Sequence, residues 1–249
     1  MKYKIILLFI FLAQLGQAQR RSKDNKGLAL LVNMNAMVQK PGGNMKDRYG
    51  NNNAFGLGLE LMTDKGNWIF GGEFNYLAGK KVKENPITSL YNVEDKIYGG
   101  DFQATNIFLR ERGYWLGGYI GKLIPISAYN QRSGIRVTVG VGHIQHKIRI
   151  QDDTKTVVQL EKPYVYGYDR LTGGLYLSEF VGYQVLSKNR LINFTIGFDF
   201  MQGFTKSMRD WDWDKKSKDI TARKDLLSGL RVNWTLPFYI GEKSEEIFY

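Results

Sequence analysis

From Ile192 to Phe200 the chain alternates without a break. Ile192, Phe194, Ile196, Phe198 and Phe200 are large and apolar, while Asn193, Thr195, Gly197 and Asp199 between them are small or polar. Successive side chains of a strand point to opposite faces, so the stretch carries an apolar row on one face and a polar row on the other. A strand between lipid and a polar lumen has this pattern. No single strand can cross hydrocarbon alone, because every backbone N–H and C=O there needs a partner. The pattern therefore calls for a closed ring of such strands.

Period two recurs in eight segments, at 28–38, 54–62, 68–76, 114–124, 135–150, 175–186, 191–204 and 227–240. In the first, Leu28, Leu30, Val32, Met34 and Val38 are expected outward, with Asn33 and Asn35 inward. The second sends Phe55, Leu57, Leu59 and Leu61 outward and Glu60 inward; the third sends Trp68, Phe70, Phe74 and Tyr76 outward and Glu73 and Asn75 inward. Connections are long at 39–53, 79–113, 151–174 and 205–226 and short at 63–67, 125–134 and 187–190. Membrane barrels pair short periplasmic turns with long outer loops, which puts both ends of the barrel in the periplasm.

Three places break the pattern. In 135–150 the apolar phase switches from Val137, Val139 and Val141 to Ile144, Ile148 and Ile150, which predicts a bulge near Gly142 or an exit from the bilayer. Glu179 stands in line with Leu175, Leu177 and Val181, leaving the faces of 175–186 unassigned. Residues 102–109 could form a ninth strand, but an odd count is not expected of a bacterial barrel. They are read as an extension of the fourth segment or as a structured part of the second outer loop.

The remaining composition fits an exported, sheet-rich chain. A basic start (Lys2, Lys4), an apolar run and Gly16-Gln17-Ala18 have the layout of a cleavable signal over 1–18, followed by a basic periplasmic segment at 19–26. The barrel is expected over 27–241, with a C-terminal tail at 242–249. No apolar run approaches the roughly 18 residues of a spanning helix. With no cysteine, disulfides and thiol chemistry are excluded, and stability must come from the hydrogen-bonded sheet. The formal charge is +11, and about +9 without Lys2 and Lys4. Its cations are scattered between strands, which favours lipopolysaccharide or anionic lipid over nucleic acid as counter-charge.

The last segment runs Gly229-Leu230-Arg231-Val232-Asn233-Trp234-Thr235-Leu236-Pro237-Phe238, with Leu230, Val232, Trp234, Leu236 and Phe238 on one face. It resembles the terminal strand signal of outer-membrane barrels, although here Gly241 and the residues up to Phe248 and Tyr249 follow it. Together with the strand count, it makes residues 27–240 resemble the small eight-stranded outer-membrane barrels of the OmpA and OmpX type. That resemblance implies an all-β fold, a closed antiparallel transmembrane barrel. On activity it says little, since the family includes anchors, adhesion factors, lipid-modifying enzymes and subunits of larger complexes.

Candidate chemistry is sparse. Glu60, Glu73, Asp199 and Arg231 fall on inward faces, where buried charges must pair, and are expected to form a structural ion-pair plug. His143 and His146 are the only histidines. Barrel enzymes that modify lipid A use a His with Ser or Asp partners, but His143-Ile144-Gln145 has Gln where a deacylase of that type has Ser. Spaced by three on a strand, the two rings point to opposite faces, which argues against a shared metal. Arg209-Asp210-Trp211-Asp212-Trp213-Asp214 lacks the glycine and terminal glutamate of a calcium loop. Its aspartates are expected to pair with nearby Lys and Arg, leaving Trp211 and Trp213 to pack in the loop or meet a partner. Asp169-Arg170-Leu171-Thr172-Gly173-Gly174 reads as a turn re-entering the sheet, and no cofactor motif occurs.

The sequence thus supports a non-enzymatic outer-membrane anchor, scaffold or accessory subunit that works through its outer loops on lipopolysaccharide or another outer-membrane protein complex. A lipid A-modifying enzyme using His143 or His146 is the alternative. A narrow pore is the weaker one, because eight strands enclose a space that side chains fill.

Overall fold

The computed structural model describes residues 25–188 and 192–240. The expected signal at 1–18, most of the expected basic segment at 19–26 and the expected tail at 242–249 lie outside the described residues.

The strands in chain order are β1 (Leu28–Gly43), β2 (Asn52–Met62), β3 (Trp68–Gly79), β4 (Ile97–Tyr98), β5 (Ala104–Thr105), β6 (Ile107–Ser127), β7 (Asn130–Asp152), β8 (Thr172–Leu186), β9 (Asn193–Ser207) and β10 (Arg223–Ile240). A four-residue helix, α1 (Met45–Arg48), follows β1. Eight strands close into one antiparallel barrel in the order β1-β10-β9-β8-β7-β6-β3-β2, while β4 and β5 form a separate two-stranded ribbon in the second outer loop. The register also fixes the tilt. Followed from partner to partner, Val32 leads through Leu59, Gly72, Gly118, Val141, Leu177, Gln202 and Leu226 to Gly42, ten residues further along β1. Such a stagger makes the strands wind steeply around the axis and sets the width of the lumen.

The alternation read from sequence is met strand by strand. Leu57, Leu59, Phe74, Phe198, Leu230 and Val232 all face outward and are exposed, Phe198 by 72%. In water such a surface would be untenable, so the belt is the lipid contact. The faces of β8 are now assigned: Glu179 points outward between Val139 of β7 and Phe200 of β9, in the same row as Leu177 and Val181. It is a lone carboxylate on the lipid face of β8.

The phase switch in β7 has a different origin from the bulge considered above. Register with β6 runs unbroken through Gly142, and the one irregularity lies at Pro125/Ser127. Residues 134–148 keep strict alternation, but what lies inside and outside changes. Val137, Val139 and Val141 face lipid, whereas further out Ile144 and Ile148 turn into the lumen while His143, Gln145 and Lys147 face out. The strand has left the bilayer, so its outer face is wetted and its inner face becomes core. At 21 and 23 residues, β6 and β7 exceed the roughly 10 a spanning strand needs. Their extension shortens the expected 79–113 and 151–174 loops. At the other end it reduces the expected 125–134 turn to 128–129. Ile107, Phe108 and Leu109 belong to β6, and Ala104 and Thr105 to the loop ribbon, so both readings of 102–109 hold in part.

The lumen is filled in layers. At the periplasmic end Ala29, Leu31, Met62, Ile69, Leu123 and Leu186 form an apolar floor. Two polar layers follow. Above them Met37, Ala54, Leu77, Trp115, Ile144, Tyr176, Met201 and Leu227 form a second apolar layer, onto which Met45 of α1 and Tyr49 are packed. Glycines make room for the large side chains. A Cβ on Gly71 would lie 2.7 Å from the Tyr119 ring, and one on Gly117 2.2 Å from the Tyr176 hydroxyl. Substitution at either position would displace an aromatic that fills the barrel.

Candidate functional site

The inward charges sit in the two polar layers. Arg231 reaches Glu73 with both terminal nitrogens at 3.0 Å, and its Nη2 lies 2.7 Å from Asp199 Oδ2. Glu60 is not a partner of Arg231. It is taken by Arg136, whose Nη2 and Nη1 donate at 2.6 and 3.0 Å, while Asn33 and the Tyr119 hydroxyl donate at 2.6 Å each. Sequence reasoning missed Arg136 because pairing across the lumen depends on the stagger of the strands and not on spacing along the chain. Asn35 and the Trp115 indole also donate to Glu73, at 3.4 and 3.3 Å. The carboxylates therefore face fixed cations and donors in a space packed with side chains, and the assembly ties β1, β2, β3, β6, β7, β9 and β10 together.

The two histidines point to opposite faces, and His143 sits half-buried on the outer surface. His146 is fully buried, its Nε2 3.0 Å from Asp225 Oδ2 and its Nδ1 3.3 Å from the Tyr49 hydroxyl. Thr205 donates to the same Asp225. This cluster lies on top of the upper apolar layer, where β7, β9 and β10 meet the residue that follows α1. Among the described residues, no group of three or more His, Asp or Glu side chains could hold a metal ion.

The outer loops converge on Arg170. Its Nε is 2.9 Å from Glu84 Oε1 and its Nη2 2.8 Å from Asp214 Oδ2, with a further ion pair to Asp212. Glu84 also holds Arg48, at 3.0 Å, and Arg48 donates to Thr172 at 2.8 Å. The chain Arg48–Glu84–Arg170–Asp212/Asp214 thus joins all four outer loops. Burial alone would lower the Arg170 pKa, but the hydrogen bond and charge of Asp212, with Glu84, raise it, so the guanidinium stays charged. Asp212 and Asp214 therefore find their cation in another loop, not among the nearby Lys and Arg expected from sequence. Asp210 and Asp219 do follow that expectation: Asp210 lies 3.8 Å from Lys218, and Asp219 pairs with Arg223 and lies 3.9 Å from Lys215. Beside this hub, Arg209 grips Asp169 through Nε at 2.7 Å and through Nη2, and its guanidinium lies 4.6 Å above the Tyr166 ring.

Trp211 and Trp213 stand on this support. The Trp213 backbone N–H donates to Gly167 O at 3.1 Å, and its indole lies over Gly167 so closely that a Cβ there would overlap the ring. One side of Trp213 lines a groove of about 370 Å³ with Val158, Gln159, Tyr164 and Tyr168. The two indoles remain 46% and 47% exposed. Sequence pointed to both tryptophans, but Glu84, Arg48 and Arg170 carried no signal, being loop residues far apart in the chain.

No family model and no curated protein sequence matches the chain. Among solved structures it is similar to Ail, the attachment invasion locus protein of Yersinia pestis, at 12% identity and TM-score 0.42, over 86% of this chain and 99% of that one. The same protein in complex with the heparin analogue sucrose octasulfate gives 13% identity and TM-score 0.41 over the same shares. Neisserial surface protein A gives 8% and 0.37, over 82% of this chain and 97% of that one. By its own ring closure, lipid-facing belt and filled lumen, this chain is an eight-stranded antiparallel β-barrel of the outer-membrane type.

Proposed function

We propose that the protein is a non-enzymatic anchor or scaffold of the outer membrane, which engages a partner protein or lipopolysaccharide through its outer loops. The observation that carries this reading is the Glu84–Arg170 bridge. It joins the loops into one platform and leaves Trp211 and Trp213 turned to solvent. Large aromatics held on a preorganised support lose little freedom on binding, which suits them to anchor an interface.

The interior supports the same reading. Glu60, Glu73 and Asp199 are paired with Arg136 and Arg231, and the His146–Asp225 pair is buried beneath Tyr49 and the loops, the arrangement of a structural plug. A lumen filled in this way offers no water column, which counts against the pore reading.

The test is purification of the tagged protein from detergent-solubilised outer membranes, beside a variant carrying Trp211→Ser and Trp213→Ser. The variant should keep its heat-modifiable barrel and lose stoichiometric association with protein or lipopolysaccharide. An unchanged set of associated components would refute the loop reading. His143→Gln and His146→Gln should leave lipid A unchanged in mass, and an altered mass would put the lipid-modifying enzyme in its place.

A further inference from the structure

On the outer wall of the barrel, one step beyond the bilayer belt, four cations face one another in two directly opposed pairs. The register of β6 with β7 sets Arg110 against Arg149 and Arg112 against Lys147. All four occupy outward positions, since their neighbours Glu111, His146 and Ile148 are buried in the lumen. Cβ atoms of directly opposed residues lie about 5 Å apart, and like charges at that spacing repel. Two such pairs in succession work against the isolated barrel. The chain compensates them only in part: Lys147 Nζ lies 3.2 Å from Asp169 Oδ2, a carboxylate already shared with Arg209. Arg112 Nη1 donates to the Glu111 carbonyl at 2.6 Å.

Three of these four line a cavity of about 310 Å³ in the wall, with Arg112, Lys147 and Arg149 on its outer side and Tyr76, Tyr114 and Gln145 below them. Tyr114 stacks on Phe74 of the lipid belt and donates through its hydroxyl to Gln145 Oε1 at 3.0 Å. Tyrosines placed in this way mark the boundary between hydrocarbon and head groups. The cavity therefore opens at head-group height, with an aromatic floor over the acyl chains and a cationic upper wall.

We propose that this cavity binds a phosphate monoester, that of a phosphorylated glycolipid in the outer leaflet. A phosphate monoester carries roughly −1.5 to −2 charges at neutral pH and accepts through three oxygens. Guanidinium forks meet those oxygens two at a time, and a lysine adds a point charge. One bound phosphate is shared by Arg112, Lys147 and Arg149 and offsets the repulsion among them, and the tyrosine floor suits the acylated end of the same molecule. The inference rests on the outer-membrane placement and not on the exposed tryptophans: the cavity lies on the barrel wall, with Leu171 at its rim and Lys147 sharing Asp169 with Arg209.

The experiment uses the full-length barrel refolded into phosphatidylcholine vesicles, with and without Arg112→Gln plus Arg149→Gln, and reads the urea midpoint. In phosphatidylcholine alone the variant should match or exceed the parent, since repulsion is relieved. Diphosphoryl lipid A should raise the midpoint of the parent and not of the variant, and lipid A retained per barrel should fall about tenfold or more in the variant, as expected for loss of charge-assisted hydrogen bonds. A paired Arg112→Lys and Arg149→Lys variant, which keeps the charge, should retain part of the response. Enzymatically dephosphorylated lipid A, and inorganic phosphate without lipid A, should leave the parent midpoint unchanged. An equal response of parent and Gln variant, an equal effect of dephosphorylated lipid A, or an equal effect of inorganic phosphate alone would each overturn the proposal. Failure here leaves the Trp211 and Trp213 test standing, and the converse holds.

Discussion

Arg231 holds Glu73 as a fork, Nη1 to Oε2 and Nη2 to Oε1 at 3.0 Å each, with both side chains almost wholly covered by the barrel wall. Arg231 Nη2 also serves Asp199, so one cation balances two carboxylates from β3 and β9. Replacing it with Met leaves both unpaired in the lumen and should cost about 3–5 kcal/mol in urea unfolding from vesicles. Adding Glu73→Gln should restore part of that loss, because the two substitutions remove one interaction. Strict additivity of the pair would contradict the ion-pair plug.

The two faces of β9 make opposite predictions. Phe198 is directed at lipid and Thr195 is fully buried in the lumen. Phe198→Arg should destabilise by about 2–4 kcal/mol if the residue lies near the midplane, whereas Thr195→Ser keeps the hydroxyl and should cost far less. Equal tolerance in a bilayer refolding titration would contradict the assigned faces.

Glu179 is expected to be a liability in the isolated barrel. It faces lipid between Val139 and Phe200. Glu179→Leu should raise the stability of the purified barrel by up to about 2 kcal/mol, since an acidic residue costs less than Arg or Lys at such a position. A lower unfolding midpoint for the Leu variant would mean that the carboxylate makes a favourable interaction at the barrel surface.

The outer loops should respond to acid. Burial would raise the Asp219 pKa, but the Thr221 backbone N–H and the Arg223 guanidinium outweigh it and hold the carboxyl at about 2. An unfolded Asp titrates near about 3.9. The folded value is the lower one, so this contribution is complete above the unfolded pKa and is lost as pH falls from about 4 towards 2. Tryptophan fluorescence from the 208–222 loop should change across that window, and Asp219→Asn should flatten the change. A transition centred near neutrality would contradict this origin.

Legibility in the sequence followed the solvent. Between Ile192 and Phe200 lipid tolerates only apolar side chains on one face, so period two is enforced and both the strand and its faces can be read. Once β6 and β7 rise out of the bilayer that constraint ends. Ile144 and Ile148 then turn inward, and the pattern inverts without any break in the backbone. Glu179 hid the faces of β8 because a single charge defeats a pattern argument that geometry resolves at once. Glu60, Glu73, Asp199 and Arg231 were readable as inward from their phase. Arg136 as the partner of Glu60 was not, since pairing across the lumen depends on stagger and not on spacing along the chain. The bond between Glu84 and Arg170 spans 86 positions and involves no periodic segment, so nothing local could announce it.

Arg170 is the residue that joins the outer loops into one surface. Its substitution by Met removes the bonds to Glu84, Asp212 and Asp214 while leaving the barrel wall intact. Amide hydrogen exchange of the 153–171 and 208–222 loops, measured together with recovery of associated components from outer membranes, tests this most directly. The account predicts faster exchange in both loops, loss of association, and an unchanged heat-modifiable barrel. Unaltered exchange with full association in a variant that lacks this guanidinium would contradict it.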